Sequence, residues 1–202
     1  MDKINTQIYN GEIVAGSLLI PESRHIARLL IANAADDAWQ QAIVINNVLQ
    51  KRTPASAKRQ AKLIKNRLSL MQPAIWEMID HGSNDIATQA LLAAAVKHSR
   101  LLGDFMDQII QSHWKIFITK ISTTDWNSFI ETCIQKDPII DTWTDSTRAK
   151  LKQVVFRILA ESKYIDGTRS LTLLPVSIVP EVKQYLVKNS EEYVLRCMNV
   201  TP

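Results

Sequence analysis

"QKRTPASAKRQAKLIKNRLSLM", Gln50 to Met71, is the stretch on which the reading of this chain turns. Thr53 before Pro54 is a helix start, because a threonine hydroxyl accepts from an unpaired N–H and the fixed φ of proline suits the first helical position. Downstream, Ala57, Ala61, Ile64, Leu68 and Met71 recur at steps of four, three, four and three. That spacing puts them on one stripe of a helix and predicts that the stripe is buried. Lys58, Lys62 and Lys65 keep the same rhythm on another face. The small Ala57 and Ala61 let the helix lie close to its neighbour, so the segment reads as a helix with an apolar back and a cationic front.

The charge of this helix is one-sided. Lys51, Arg52, Lys58, Arg59, Lys62, Lys65 and Arg67 occur without an acid, and nothing from Ala38 to Trp76 is acidic. With 20 acids among 202 residues, about four would fall in that span by chance. A run of lysine and arginine is ordinarily a solvated face, but such faces intersperse signs to gain i,i+4 pairs, and this one forgoes them. Ser56 occupies the third helical position, where an acid is usual. Thr53, Ser56 and the unpaired N–H groups beside Lys51 and Arg52 form a phosphate site instead. The DNA-binding residues expected here are Lys51, Arg52, Thr53, Ser56, Lys58, Arg59, Lys62, Lys65, Asn66 and Arg67. Lysine and arginine dominate, so contacts to phosphate and weak sequence preference follow; Arg59, Gln60 and Asn66 are the side chains suited to bases.

Working outward, Asp37 to Gln50 reads as a helix carrying Trp39, Ile43, Val44 and Leu49, followed by a very short turn into the basic helix. That pairing predicts a helix-turn-helix. Further helices are expected over residues 21–33, 73–80, 85–120 with a break near Gly103, 125–135, 146–162, 181–188 and 191–198. With only five glycines, the fold class is all-α. After Ser162, "KYIDGTRSLTLLPVSIVP" holds Gly167, Pro175, Pro180 and a β-prone run from Leu171 to Leu174, which reads as a short β-hairpin near residues 165–175 or as an extended connection. The chain is expected to form a single globular unit, with a front part over residues 1–82, a helical connector over 83–121 and a back part over 122–202.

A second surface comes from "TDSTRAKLKQVVFRILAESKYI". Asp145 or Ser146 opens a helix that buries Leu151, Val154, Val155, Ile158 and Leu159. Arg148 and Lys152 share one flank, and Lys150, Gln153 and Arg157 another. Asp145 and Glu161 mix the charge, so Arg148, Lys150, Lys152 and Arg157 read equally as further DNA contacts or as a solvated face. This helix fits a second helix-turn-helix, or a winged-helix-like unit whose wing is "DGTRSLTLL" with Arg169.

Composition sets the remaining limits. A hydrophobic fraction of 46% supports a core, and a net charge of +4 with a pI of about 9.1 suits nucleic acid better than a membrane. Cys133 and Cys197 lack metal or redox spacing and read as reduced thiols of a cytoplasmic protein. "MDKINTQIYNGEIVAG" lacks the order of a signal peptide, and "ALLAAAV", Ala90 to Val96, is far shorter than the roughly 20 residues of a membrane span. His25, His81, His98 and His113 are scattered, and no Walker loop, G-x-G-x-x-G or G-x-S-x-G occurs. The acid pairs Asp36–Asp37 and Glu191–Glu192 read as helix-start charges. Neither catalytic residue, metal, cofactor, membrane nor small-molecule substrate is therefore expected. Trp39, Trp76, Trp114, Trp126 and Trp143 do not interleave with the basic stretch and read as core anchors.

Four segments together resemble one family. "YNGEIVAGSLLIPESRHIARLL", "NNVLQKRTPASAKR", "WTDSTRAKLKQ" and "YVLRCM" are similar, in order and spacing, to the BrxA family of bacteriophage exclusion (BREX) systems. The resemblance covers nearly the whole chain. It implies a cytoplasmic phage-defence protein acting beside the methyltransferase, ATPase and phosphatase-like components of the system, with no catalytic residue to carry over. The partner expected from the residues is double-stranded DNA, with other BREX components in addition. An adaptor whose basic face meets an acidic protein surface, and a binder of structured RNA, are the alternatives.

Overall fold

Apolar periodicity becomes helix over most of residues 7–200, the part of the chain that the computed structural model describes. After a 3₁₀ turn at Glu12–Ala15 come α1 (Ile20–Ile31), α2 (Asp36–Gln40, running on as a π-helical turn Gln41–Ile45), α3 (Pro54–Ser69), α4 (Ala74–His81) and α5 (Asn84–His98). α6 (Arg100–Phe105) continues through a π-helical turn, Met106–Ile110, into α7 (Gln111–Lys115). α8 (Thr123–Lys136), a 3₁₀ turn Pro138–Thr142, α9 (Asp145–Glu161), α10 (Pro180–Lys188) and α11 (Glu192–Met198) complete the order. The all-α class holds, and no helix among the described residues is long and apolar enough to cross a membrane.

α5 is the axis. Ala87 and every residue from Ala90 to Val96 are buried, so a helix apolar on all sides sits in the middle, as such a helix must. α1, α3, α4, α6, α10 and α11 pack against it. A second focus gathers the aromatic rings of Phe105, Trp126, Phe129 and Phe156, whose centroids lie 5.2 to 6.0 Å apart in tilted and edge-on pairs.

A buried carboxylate ties distant segments together. Asp104 of α6 accepts from Tyr9 Oη at 2.8 Å, from Tyr193 Oη at 2.8 Å and from Arg100 Nε at 2.8 Å. Burial, with Asp104 beside them, pushes both phenols well above their ordinary range. Asp137 accepts from the N–H groups of Ile8 and Tyr9 at 2.8 and 3.0 Å. Cys133 and Cys197 are buried, which pushes their thiols up to about 11 and about 12.

Four expectations need correction. The break in the central helix falls at Ser99, whose side chain caps α6, and not at Gly103. Gly103 instead lies inside α6 because Tyr193 packs on it, where an added Cβ would come 2.3 Å from the phenol oxygen. The same helical run ends at Lys115 rather than Lys120. The turn between α2 and α3 is not short: residues 46–53 intervene, with Asn47 and Gln50 left-handed and the Asn47 amide bonded to both the N–H and the C=O of Lys51. In place of a hairpin over 165–175 there are two single antiparallel bridges, Ile165 with Leu173 and Lys120 with Thr172.

Candidate nucleic-acid interface

α3 begins as its sequence requires. Thr53 Oγ1 accepts from the Ser56 N–H at 3.2 Å and lies 3.0 Å from Ser56 Oγ, so the two hydroxyls partner each other at the cap. Ala57, Ala61, Ile64, Leu68 and Met71 are all buried. On the opposite face Arg52, Lys58, Arg59, Lys62 and Lys65 are exposed. Among the described residues, none of these five has a carboxylate within ion-pair distance. Lys65 lays its ammonium 4.3 Å from the ring centre of Trp39, which orients it without neutralising it.

Two expected members of this surface point elsewhere. Arg67 is 3% exposed and donates to the carbonyls of Gly16 and Ser17. Burial lowers its pKa to about 10, with Glu161 pulling the other way. A guanidinium enclosed by backbone carbonyls cannot reach a phosphate; its apparent place in the cationic row came from sequence spacing, while its helix angle lies beside Ile64 and Leu68. Lys51 is paired with Glu22 of α1. Asn66 is half-buried.

α9 differs. Thr144, not Asp145 or Ser146, caps it by accepting from the Thr147 N–H. Leu151, Val154, Val155, Ile158 and Leu159 are buried as expected. Its cations, however, are answered from within. Arg148 donates to the carbonyls of Trp143, Ile140 and Asp141 and to the Asp141 carboxylate at 3.0 Å, stapling the preceding 3₁₀ turn. That removes Arg148 from the expected contacts, since its donors are committed inside the fold. Arg157 pairs with Glu161 at 3.0 Å, Lys150 meets Gln153 Oε1 at 2.8 Å, and Lys152 reaches Thr123 Oγ1 at 3.2 Å.

The two helices share one support. The turn Glu12–Ala15 packs against both α3 and α9. In the strap that follows, Gly16 and Ser17 receive Arg67 from α3, while Ser17 Oγ and the Leu18 N–H donate to Glu161 of α9 at 2.8 and 2.9 Å. Over this strap lies a cavity of about 390 Å³, lined by Lys51, Arg59 and Gln60 on one side and Lys150, Gln153 and Arg157 on the other, with Glu22 in its wall. Gln60 Oε1 is buried there without a hydrogen-bond partner. Beyond α9, Gln153 and Arg157 also line a second hollow of about 540 Å³ with Lys152, Phe156 and Thr168. The basic faces are therefore neighbours on one continuous surface.

A chain with this arrangement has relatives. The BrxA family profile matches residues 7–190. A protein of Paramagnetospirillum magneticum named BREX protein BrxA is 44% identical over 193 residues, covering 96% of this chain and 97% of its own length. The chain belongs to the BrxA family. A protein of the same name from Escherichia coli O9:H4 is 31% identical, over 93% of this chain and 88% of its own. The crystal structure of an uncharacterized protein from Magnetospirillum magneticum superposes with a TM-score of 0.89 at 43% identity, covering 96% of this chain and 100% of that one. The span matched to the BrxA family takes in the strap, α3 and α9, and so every element of the shared surface.

What sequence reasoning missed is the meeting of these parts. Gly16, Ser17 and Glu161 belong to the surface only through the strap, and no spacing signal links residues 16 and 161. The apolar tip Ile116–Phe117–Ile118 was legible as an apolar triplet between Lys115 and Lys120, but the expected helix to Lys120 concealed it.

Proposed function

We propose that this chain is a non-enzymatic, double-stranded DNA-binding component of a BREX phage-defence system. The observation that carries the reading is the row of exposed cations on α3 that no carboxylate of the described residues answers. A folded chain leaves like charges gathered only at a cost in self-repulsion, which an external polyanion relieves. Arg52, Lys58, Arg59, Lys62 and Lys65 contact phosphates, and Lys150, Lys152 and Arg157 of α9 extend the track across the shared cavity. Base reading is minor, because Arg59 is the one exposed side chain among Arg59, Gln60 and Asn66. Other BREX components assemble with the protein elsewhere on its surface.

A salt titration of binding to a duplex of arbitrary sequence tests this, run on wild type and on the Lys58→Ala/Lys62→Ala/Lys65→Ala variant with folding checked by circular dichroism. The expected result is salt-sensitive binding whose log-log slope flattens in the variant by up to about one unit per lost phosphate contact. An unchanged slope rejects the α3 surface. Saturable binding to an acidic BREX partner with none to duplex at low salt makes the face an adaptor, and preference for a matched RNA duplex makes it an RNA surface.

A further inference from the structure

The segment after α7 breaks two rules of soluble folds at one residue. Phe117 is 87% exposed, the highest value among the exposed large apolar residues of the described chain, and its neighbours Ile116 and Ile118 are 62% and 41% exposed. The same Phe117 is left-handed, with φ 59°. The hydrogen bonds explain the conformation: the Ile118 N–H donates to His113 O at 2.9 Å and the Phe117 N–H to Trp114 O at 3.2 Å, the paired closure of a Schellman helix end. That closing position favours glycine, since a side chain there is strained. A bulky apolar residue thus stands in solvent on a helix end where glycine would be more stable. The same left-handed closure ends α1 at Asn33, α9 at Lys163 and α10 at Ser190, so what sets Phe117 apart is the large apolar side chain that its closure leaves in solvent.

The surroundings indicate what the tip meets. No acid occurs from Gln108 to Thr124, and Lys115 and Lys120 flank the triplet. Asp125, the next carboxylate, is engaged by Ser122 and lies 3.3 Å from His113. Lys120 bridges Thr172, so the tip stands within two or three residues of the 165–173 segment. Thr168 of that segment lines the hollow shared with Lys152, Gln153 and Arg157 of α9. Lys152 in turn touches Thr123, just beyond the tip. The chain just after the tip, at Lys120 and Thr123, therefore meets segments that reach the α9 side of the basic surface, where Asp166 is the one acid of residues 165–173.

We propose that Ile116–Phe117–Ile118 is an apolar wedge that inserts between base steps of the duplex held on the α3–α9 surface, unstacking and bending it. The proposal rests on the duplex-binding reading above. Apolar side chains carried on cationic surfaces kink DNA in this way, and phosphate contacts beside the wedge offset the unstacking. It also gives weak sequence preference a direction, toward the easily unstacked pyrimidine–purine steps.

The test uses a duplex carrying 2-aminopurine at such a step and a fluorophore pair at its ends, titrated with wild type, Phe117→Ala and Phe117→Gly. Wild type is expected to raise 2-aminopurine fluorescence and shorten the end-to-end distance. Phe117→Ala retains binding and an unchanged salt slope, because no charge is removed, but loses both signals. Phe117→Gly does the same while raising Tm by about 2–4 °C, which separates the wedge from any role in folding. Wild-type binding without unstacking overturns the wedge and leaves the duplex reading standing. Absence of binding overturns both. A Phe117→Ala change confined to molecular mass in solution, or to sedimentation with anionic vesicles, also overturns the wedge and makes the tip a protein or membrane contact.

Discussion

α3 and α9 both present lysines and arginines beside the same strap, yet only α9 answers its own. Arg148, Lys150, Lys152 and Arg157 all find acceptors within the fold, whereas the exposed cations of α3 find no carboxylate among the described residues. The exposed pairs Arg148–Asp141 and Arg157–Glu161 contribute little stability but offset the charge of the two arginines, whereas the neutral acceptors Gln153 and Thr123 hold Lys150 and Lys152 in place and leave them charged. Two helices with comparable basic composition thus differ in how much potential reaches solvent. What separates them is the placement of acids in space, which a count of lysines does not report.

The comparison breaks most sharply within α3 itself. Arg67→Ala leaves the buried Ser17 carbonyl and the part-buried Gly16 carbonyl without their donor and is expected to lower stability by about 2–4 kcal/mol, while Lys62→Ala stays within about 0.5 kcal/mol. Thermal melts of the two variants decide it, and an unchanged Tm for Arg67→Ala would return that residue to the binding face. Next, the α3 triple alanine variant should flatten the salt slope more than Lys150→Ala/Lys152→Ala/Arg157→Ala. Equal slopes would mean that internal pairing does not mute α9. Glu161→Gln sharpens the same point: it weakens the strap, destabilising by about 1–2 kcal/mol, yet releases Arg157 and tightens duplex binding at a temperature where the protein is folded.

Smaller effects follow at the edges of the surface. Thr53→Ala removes the α3 cap and should cost about 1 kcal/mol in chemical denaturation, with no change in salt slope. The pH dependence has a definite sign. Burial, together with the positive charge of Arg67, holds the pKa of His98 below its ordinary value of 6.5, against the pull of Glu12. The unfolded chain therefore binds the proton first, and stability is lost as pH falls below about 6.5. Asp137 adds to this at lower pH: burial raises its carboxyl, but N–H donation from Tyr9, Ile8 and Ile139 prevails and holds it below the usual range. Its contribution is complete above the ordinary carboxylate pKa and disappears as pH falls through the depressed one. Melts from pH 7 to pH 4 should show a falling Tm that His98→Gln flattens, and melts carried on from pH 4 to pH 2 a further fall that Asp137→Asn flattens; a flat wild-type profile in either window would contradict the corresponding assignment.

Much of the architecture was legible because it is local. The stripe from Ala57 to Met71, the cap at Thr53, the apolar α5 and the apolar face of α9 follow from periodicity and end chemistry alone. The misreadings share a cause. Gly103 looked like a break, but Tyr193 from the far end of the chain occupies the space its missing Cβ leaves. Residues 116–120 do not continue the helix, because the carbonyls of His113 and Trp114 close it early around Ile116, Phe117 and Ile118.

By itself the sequence determined the all-α class, the position of nearly every helix, the family and the presence of one acid-free basic segment, since these depend on residues within a few turns of one another. Only the tertiary structure decided which cations face solvent, which are spent on carbonyls and carboxylates, and that α3, α9 and the strap at Gly16–Leu18 form one surface. Burial and pairing join residues as distant as Ser17 and Glu161, and no local period encodes them.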